Sequence, residues 1–504
     1  MTIEFKDLPR GIPNSHSEED QAPRALWLDP IALSQDAKWQ YKEDKVLLGL
    51  ANEQVVGLSD DRHLLTIAGS RSGKGTSAIV PNLLAYPGSV VVIDPKGENA
   101  RLTAERRGLG RGIEAGGLGH DVFVIDPFKV SGVDEEYLAG FNPLTDLNPF
   151  SDDFIDECDA IADALVVQEG GGDNAYFYDA ARLVLRGYIA WVVGHADIKD
   201  KSLNEVKRLL FLPRKPNKPF PDELDLNAAD LTFEHLSTIM GFDPNFIHGI
   251  PFEAAMTLQS MGDREFGSVM STIRQQIGFI SSPPMSRVLA DKSRSPDLSA
   301  WKHGNQSVYL CLPAGRMHRH FRMFRLFINR LLNAIEADEA KPEVPALMIL
   351  DEMHVLGHMK SLETAAGLIA GFGVRIWSFF QDLSQLKSIY GERWETFLGN
   401  SGVFQTFGLN DLGTLQYVSD RLGQSAMLKV SQSEVSRSQI ASGFSGASQS
   451  IDAAPLLAPD EIAAFFSRQS GNQLIIYPGV SGIFIQRLPY TDVYFEEMRG
   501  ESDA

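Results

Sequence analysis

Ala68 to Pro81 read AGSRSGKGTSAIVP, and Gly69, Gly73 and Lys74 have the spacing of a loop that wraps phosphate. The general pattern is G-x-x-x-x-G-K followed by Ser or Thr. Such a loop joins a buried strand to a helix. Its backbone N–H groups converge on phosphate oxygens, and the helix N-terminus adds its own donors and dipole. Lys74 would supply a point charge for the β and γ phosphates. The cradle spans Gly69, Ser70, Arg71, Ser72, Gly73, Lys74, Gly75 and Thr76. Gly75 is the departure, because it stands where a hydroxyl normally ligates Mg²⁺. Thr76 lies one residue further, a turn of ~100° around a helix, which suits the α-phosphate better and leaves it a candidate metal ligand. Alone, the stretch also fits a glycine-rich structural turn. Its context favours the nucleotide: the apolar run HLLTIA precedes it and the helical pattern TSAIVPNLLAY follows.

A second stretch, ALMILDE, delivers Asp351 and Glu352 to the carboxyl end of an apolar strand. In P-loop ATPases the aspartate at this place holds Mg²⁺ and the glutamate orients and deprotonates the attacking water. The bland alternative is a strand-end Asp capping a helix. Gln381 ends the run VRIWSFFQ, where an amide can touch the γ-phosphate or the lytic water, or merely open a helix. Asp94 and Asp126 also end strand-like runs, and each could approach the site or close a turn. Phosphoryl transfer commonly draws a positive charge from a neighbouring subunit. Arg71, Arg375, Arg393 and Arg421 are the candidates, and the residue pattern does not choose among them.

The elements that must position these groups alternate between buried strands and helical patterns. HLLTIA, SVVVID and DVFVID are followed, after a gap, by QSVYLCLPA, PALMILDE, VRIWSFFQD and GVFQTFG. This pattern predicts an α/β fold with a mainly parallel sheet that binds ligand at the carboxyl ends of its strands. Residues 151–295 lack strand-like runs and carry amphipathic segments instead, predicting an all-helical domain inserted between residues 1–150 and 296–504. Apolar residues Phe324, Phe327, Ile328, Leu331, Leu332 and Ile335 recur at helical spacing. The Ser-rich VSQSEVSRSQIASGFSGASQS reads as a mobile loop or linker, and NQLIIYPGVSGIFIQRLPY as a hairpin closing the edge of the sheet.

The 504 residues suffice for two domains. Two cysteines, Cys158 and Cys311, far apart and without metal-ligand spacing, argue against disulfide or zinc scaffolding and for a reducing cytosol. A net charge of −20 excludes a protein that coats nucleic acid, so any such contact must be local. No apolar run reaches the ~18 residues of a membrane helix, and the opening MTIEFKDLPRGIPNSHSEEDQAPR has no apolar core of a signal peptide.

HLLTIAGSRSGKGTSAIVPNLL with SVVVIDPKGEN, LMILDEMHVLG with FFQDLSQLKSIYGERWETFLGNSGVFQTFGLND, and the final APLLAPDEIAAF and GIFIQRLPY resemble the type IV secretion coupling proteins, conjugative DNA-transfer ATPases of the TraG/TraD kind. The resemblance runs from about Leu47 to Tyr494, and the Gly75 form of the loop belongs to that family. It implies a RecA-like P-loop ATPase domain with an inserted all-α domain, working as a hexameric ring with ATP and Mg²⁺ at subunit interfaces. It also implies DNA, single-stranded and bound to its relaxase, as cargo, and type IV secretion components as partners. By motif match Lys74 binds phosphate, Asp351 holds Mg²⁺ through water, Glu352 activates water and Gln381 senses the γ-phosphate. Family members usually begin with two membrane helices. This sequence shows none, so the expectation is a cytoplasmic protein that reaches the inner-membrane face through partners. Two other readings stay open: a nucleotide-gated adaptor that recruits protein cargo with little turnover, and a DNA-pumping ATPase of the FtsK/HerA group outside secretion.

Overall fold

The computed structural model describes residues 25–168, 175–215, 225–226, 228, 230–432 and 447–500. These fall into two compact units. The first comprises the described residues of Met1–Pro87, Glu352–His354 and Arg375–Glu501, and the second those of Gly88–Asp351 and Val355–Val374.

The first unit holds β1 (Val46–Ala51), β2 (Gln54–Leu58), β3 (His63–Ala68), β8 (Val374–Phe380), β9 (Ser401–Phe407), β12 (Asn472–Ile476) and β13 (Ile483–Gln486). Their order is β2-β1-β13-β12-β9-β3-β8. β3 is buried along its whole length and pairs in parallel with β8 and β9. The remaining pairs, β9–β12, β12–β13, β13–β1 and β1–β2, are antiparallel. The C-terminal hairpin β12–β13 is therefore not an edge. It lies between β9 and β1, and β2 is the outer strand. The β1–β2 pair was not anticipated from the sequence: VLLGLA and QVVGL are short, and the two residues between them, Asn52 and Glu53, turn with φ of 49° and 62° rather than with glycine.

A chain of buried amides and hydroxyls crosses this wing. Trp377 Nε1 donates to Thr66 Oγ1 (2.8 Å), Thr66 Oγ1 to Gln405 Oε1 (2.7 Å), Gln405 Nε2 to Gln473 Oε1, and Gln473 Nε2 to the carbonyl of Leu48. Inside a sheet each such group costs free energy unless paired, so a fully connected chain pins strand register. The Ser-rich segment emerges from a separate antiparallel ribbon, β10 (Gln424–Gln432) with β11 (Ala447–Pro455). Its middle, residues 433–446, lies outside the described residues, as does most of the loop LPRKPNKPFPDE.

The second unit carries β4 (Val90–Asp94), β5 (Asp121–Ile125), β6 (Gln306–Cys311) and β7 (Ala346–Leu350) in the order β7-β4-β6-β5, all parallel. The apolar runs VVVI in β4 and ALMIL in β7, buried throughout, suit strands covered on both faces. Between β5 and β6 the longer described elements are helices: α4 (Phe154–Leu165), α5 (Ala175–Gly194), α6 (Leu203–Leu210), α7 (Phe233–Met240), α8 (Ile250–Ser260), α9 (Asp263–Ile277) and α10 (Pro283–Val288). The helix Arg322–Glu336 (α12) buries Phe324, Phe327, Ile328, Leu331, Leu332 and Ile335, each at most 2% exposed. A second stripe on the same helix is polar and also buried. Arg322 Nε donates to the Leu165 carbonyl (2.9 Å), Arg325 Nε to Ala164 (3.3 Å) and Asn329 Nδ2 to Ala160 (3.1 Å). The two arginines satisfy last-turn carbonyls of α4, which have no intrahelical partner, and Asn329 adds a bond to the turn before.

Candidate functional site

The phosphate-loop sequence leaves the carboxyl end of β3 as expected. Gly69 is required there because a Cβ would lie 2.2 Å from the Gly408 carbonyl at the end of β9. Arg71 and Gly73 take positive φ, 55° and 99°, which lets the chain curl back before Lys74 enters helical geometry. The following helix opens as a π-helical turn, Gly75–Ile79, before α2 (Val80–Ala85). Such turns recur at functional sites. A Cβ at Gly75 would meet nothing within 4 Å, so the missing hydroxyl is a matter of sequence and not of space. Thr76 is exposed, and its carbonyl accepts the Tyr490 N–H at 2.8 Å.

Within the first unit three of the expected catalytic residues meet. Lys74 Nζ lies 3.7 Å from Glu352 Oε1, and Gln381 Nε2 is 3.2 Å from both Glu352 oxygens. Lys74 Nζ is buried and has no hydrogen-bond partner among the described residues. Gln381 does not open the next helix. Asp382 caps α14 (Leu383–Tyr390), accepting the Gln385 N–H at 3.0 Å, which leaves the Gln381 amide turned to the glutamate. Glu352 sits at φ 58°, a left-handed conformation costing a non-glycine residue roughly 1–3 kcal/mol and common at catalytic centres. Partial burial would raise its pKa. The His354 ring, with Nδ1 3.2 Å from Oε2, the Lys74 charge and the Gln381 amide outweigh burial and hold it at about 2. Asp351 directly follows β7 and belongs to the second unit.

Two residues of the site were missed in the sequence. His354 stands in the quoted DEMHVLG, and only the turn after Glu352 shows that its ring faces the carboxylate. Arg487 follows β13, some four hundred residues from the loop it braces. Its guanidinium donates to the Ser72 and Arg468 carbonyls and stacks 5.0 Å over Phe407. The insertion of the hairpin beside β1 brings it there, and no local pattern announces it.

The strand-end aspartates of the second unit serve the backbone. Asp94 accepts the Ala100 N–H at 2.8 Å, over the start of α3 (Glu98–Arg107), and Asp126 accepts the Ser131 N–H and hydroxyl at 2.7 Å each. Burial raises Asp94 to about 6, against backbone hydrogen bonds that lower it. Because the folded pKa lies above the unfolded one, its stabilising contribution is present below about pH 4 and lost as pH rises through 6. Asp94→Asn should therefore gain on the wild type by about 3 kcal/mol between pH 4 and pH 7, two pKa units' worth. Urea melts at both pH values check this, and a pH-independent difference would contradict it.

Of the candidate arginines, Arg71, Arg393 and Arg421 are exposed. Arg375 lies at the amino end of β8, the end opposite Gln381, with its Nε donating to the Asp60 carbonyl at 2.7 Å. No helix among the described residues is long and apolar enough to cross a membrane.

The family model "Type IV secretory system Conjugative DNA transfer" matches residues 34–500. The conjugal transfer protein TraG of Agrobacterium fabrum (strain C58) is 25% identical over 83% of this chain and 58% of its own length. The coupling protein VirD4 of Bartonella quintana (strain Toulouse) is 25% identical over 72% of this chain and 53% of its own. The chain thus spans somewhat over half the length of these relatives. Among solved structures, the plasmid coupling protein TrwB in complex with the non-hydrolysable ATP analogue ADPNP superposes with a TM-score of 0.62 at 15% identity, covering 94% of this chain and 95% of that one. TrwB with ADP and Mg²⁺ gives 0.60 at 14% identity, over 95% and 96%. The fold is accordingly the RecA-like α/β fold of that protein. With its family model matched over nearly the whole length, the chain belongs to the type IV secretory system conjugative DNA transfer family.

Proposed function

We propose that this chain is an ATP-hydrolysing coupling protein that takes relaxase-bound DNA and feeds it to a type IV secretion channel. It would work as a six-membered ring at the cytoplasmic face of the inner membrane, held there by partners, with the helical block 151–295 facing the cargo. The observation that carries the reading is the Lys74–Glu352–Gln381 cluster at the mouth of the phosphate loop. The residues fit ATP: a buried ammonium without a hydrogen-bond partner faces the place where the loop and the helix N-terminus converge. Bound Mg²⁺ would offset charge on the phosphate oxygens; Asp351 would hold it through water, with Thr76 as a candidate second ligand.

The residues then divide the work. Lys74 holds the β and γ phosphates, a contact that would draw it from Glu352. Losing that counter-charge raises the basicity of the carboxylate where a water must give up its proton. Gln381 reports whether the γ-phosphate is present, and α14 directly follows it in the chain. Which of Arg71, Arg375, Arg393 and Arg421 completes a neighbouring site depends on the ring. One observation favours the second reading, a nucleotide-gated adaptor: Gly75 supplies no hydroxyl to the metal, which would slow turnover.

Steady-state ATPase of the purified chain, with and without single-stranded DNA over a protein concentration series, separates the two. The motor requires a rate that climbs with both. Bound DNA that never changes the rate would leave the adaptor.

A further inference from the structure

Strands β4, β6 and β5 are parallel neighbours, so their carboxyl ends emerge together from one side of the second unit. Each end carries a cation: Lys96 just past Asp94, Lys129 past Ile125, and Arg316 past Cys311. The three loops touch. A Cβ at Gly97 would lie 2.4 Å from Ser131 Cα, and the Arg316 guanidinium stacks 4.8 Å from the ring of Phe128, which itself lies 5.1 Å from His320.

The segment 314–322, AGRMHRHFR, contains no acid. Lys96, Arg316, His318 and Arg319 are exposed, and none of them makes an ion pair among the described residues. Lys129 is different, being paired with Glu135 at 3.2 Å. Some arginines of the unit are neutralised, Arg186 by Asp159 and Glu253, Arg208 by Glu205 and Arg330 by Glu157, whereas Arg264 and Arg274 on α9 and Arg287 on α10 are exposed and, like Arg316 and Arg319, make no ion pair among the described residues. In a chain of net charge −20 the segment 314–322 thus presents exposed Arg316 and Arg319 with no acid of its own, a concentration of positive charge, while the adjoining loops mix Lys96 and Lys129 with Glu98 and Glu135. Behind them, buried His320 registers that field. Burial, then Arg319, Arg316 and His318, hold its imidazole down at about 4, and its Nδ1 has no partner.

We propose that this surface, Lys96 with Arg316, His318 and Arg319 on the loops after β4 and β6, is where the phosphate backbone of single-stranded DNA docks. The inference rests on the DNA-handling reading above and specifies its contact residues. A small ligand would need an enclosed pocket. Exposed cations spread over adjoining loops suit an extended polyanion, whose affinity comes from neutralised phosphates and released counterions. Gly315, whose added Cβ would meet nothing within 4 Å, leaves the segment room to follow such a strand.

The test is fluorescence anisotropy of the full chain with a labelled 30-nucleotide single strand, over a salt series. Arg316→Ala/Arg319→Ala should weaken binding at least about tenfold near 0.1 M salt and reduce the log–log salt slope by about 1.4, the loss of two phosphate contacts. Its melting temperature and its affinity for a fluorescent ADP should not change. Arg316→Lys/Arg319→Lys should keep most of the slope, and the charge-matched control Lys199→Ala/Arg264→Ala should bind as the wild type. If the wild type binds DNA and the double alanine variant binds it equally, this surface is wrong while the DNA reading stands. If the wild type shows no salt-dependent DNA binding, both fail. Loss of affinity for poly-glutamate with DNA affinity intact would make the surface an acidic-protein site and overturn the proposal.

Discussion

Lys74→Ala is expected to abolish ATP turnover and to weaken nucleotide binding by about 2–5 kcal/mol, the usual cost of deleting one side of a desolvated charge pair. The reason lies in what the ammonium does within the protein. It is buried, it has no hydrogen-bond partner among the described residues, and its contact with Glu352 is a loose 3.7 Å. Such a group contributes little to the fold, because its desolvation is poorly offset. Its removal should leave the melting temperature of the protein alone nearly unchanged while erasing the rise that ATP produces by binding the folded form. Thermal melts with and without ATP, run beside the ATPase assay, read both effects. Normal turnover in the variant would remove the phosphate role from this loop.

Glu352→Gln should give the opposite split: nucleotide still binds, and kcat falls by roughly 10²–10⁴-fold, as when a general base is lost. Glutamine keeps the length and an acceptor for the Gln381 amide, and it tolerates the φ of 58° no worse than glutamate does. What disappears is the negative charge. Lys74 then loses its competitor for phosphate, so affinity for ATP should hold or rise. Single-turnover kinetics with a fluorescent nucleotide separate binding from chemistry. A variant retaining most of its turnover would assign proton removal to another residue.

How much of this was readable in advance follows from the range of each interaction. The phosphate loop, the apolar strand ending in Asp351 and Glu352, and the strand ending in Gln381 are each written within a dozen residues. Backbone geometry and hydrophobic period act at that distance. The period of α12 likewise predicted its buried stripe, and that stripe is buried.

Tertiary structure decided matters of register and of backbone accounting. Asp94, Asp126 and Asp351 look alike as strand-end carboxylates. The first two accept nearby backbone N–H groups and so complete turns, which only the placed N–H groups reveal. The hairpin at the C-terminus was legible as a hairpin, but its place between β9 and β1 depends on the amide chain through Gln405 and Gln473 and on residues far apart in sequence. That same insertion sets Arg487 against Ser72. The sequence by itself determined which chemistry the chain can carry, because phosphate cradles and strand-end carboxylates are local. Only the fold decided which side chains brace that chemistry and where unpaired positive charge collects, because pairing across hundreds of residues is settled by long-range packing rather than by local propensity.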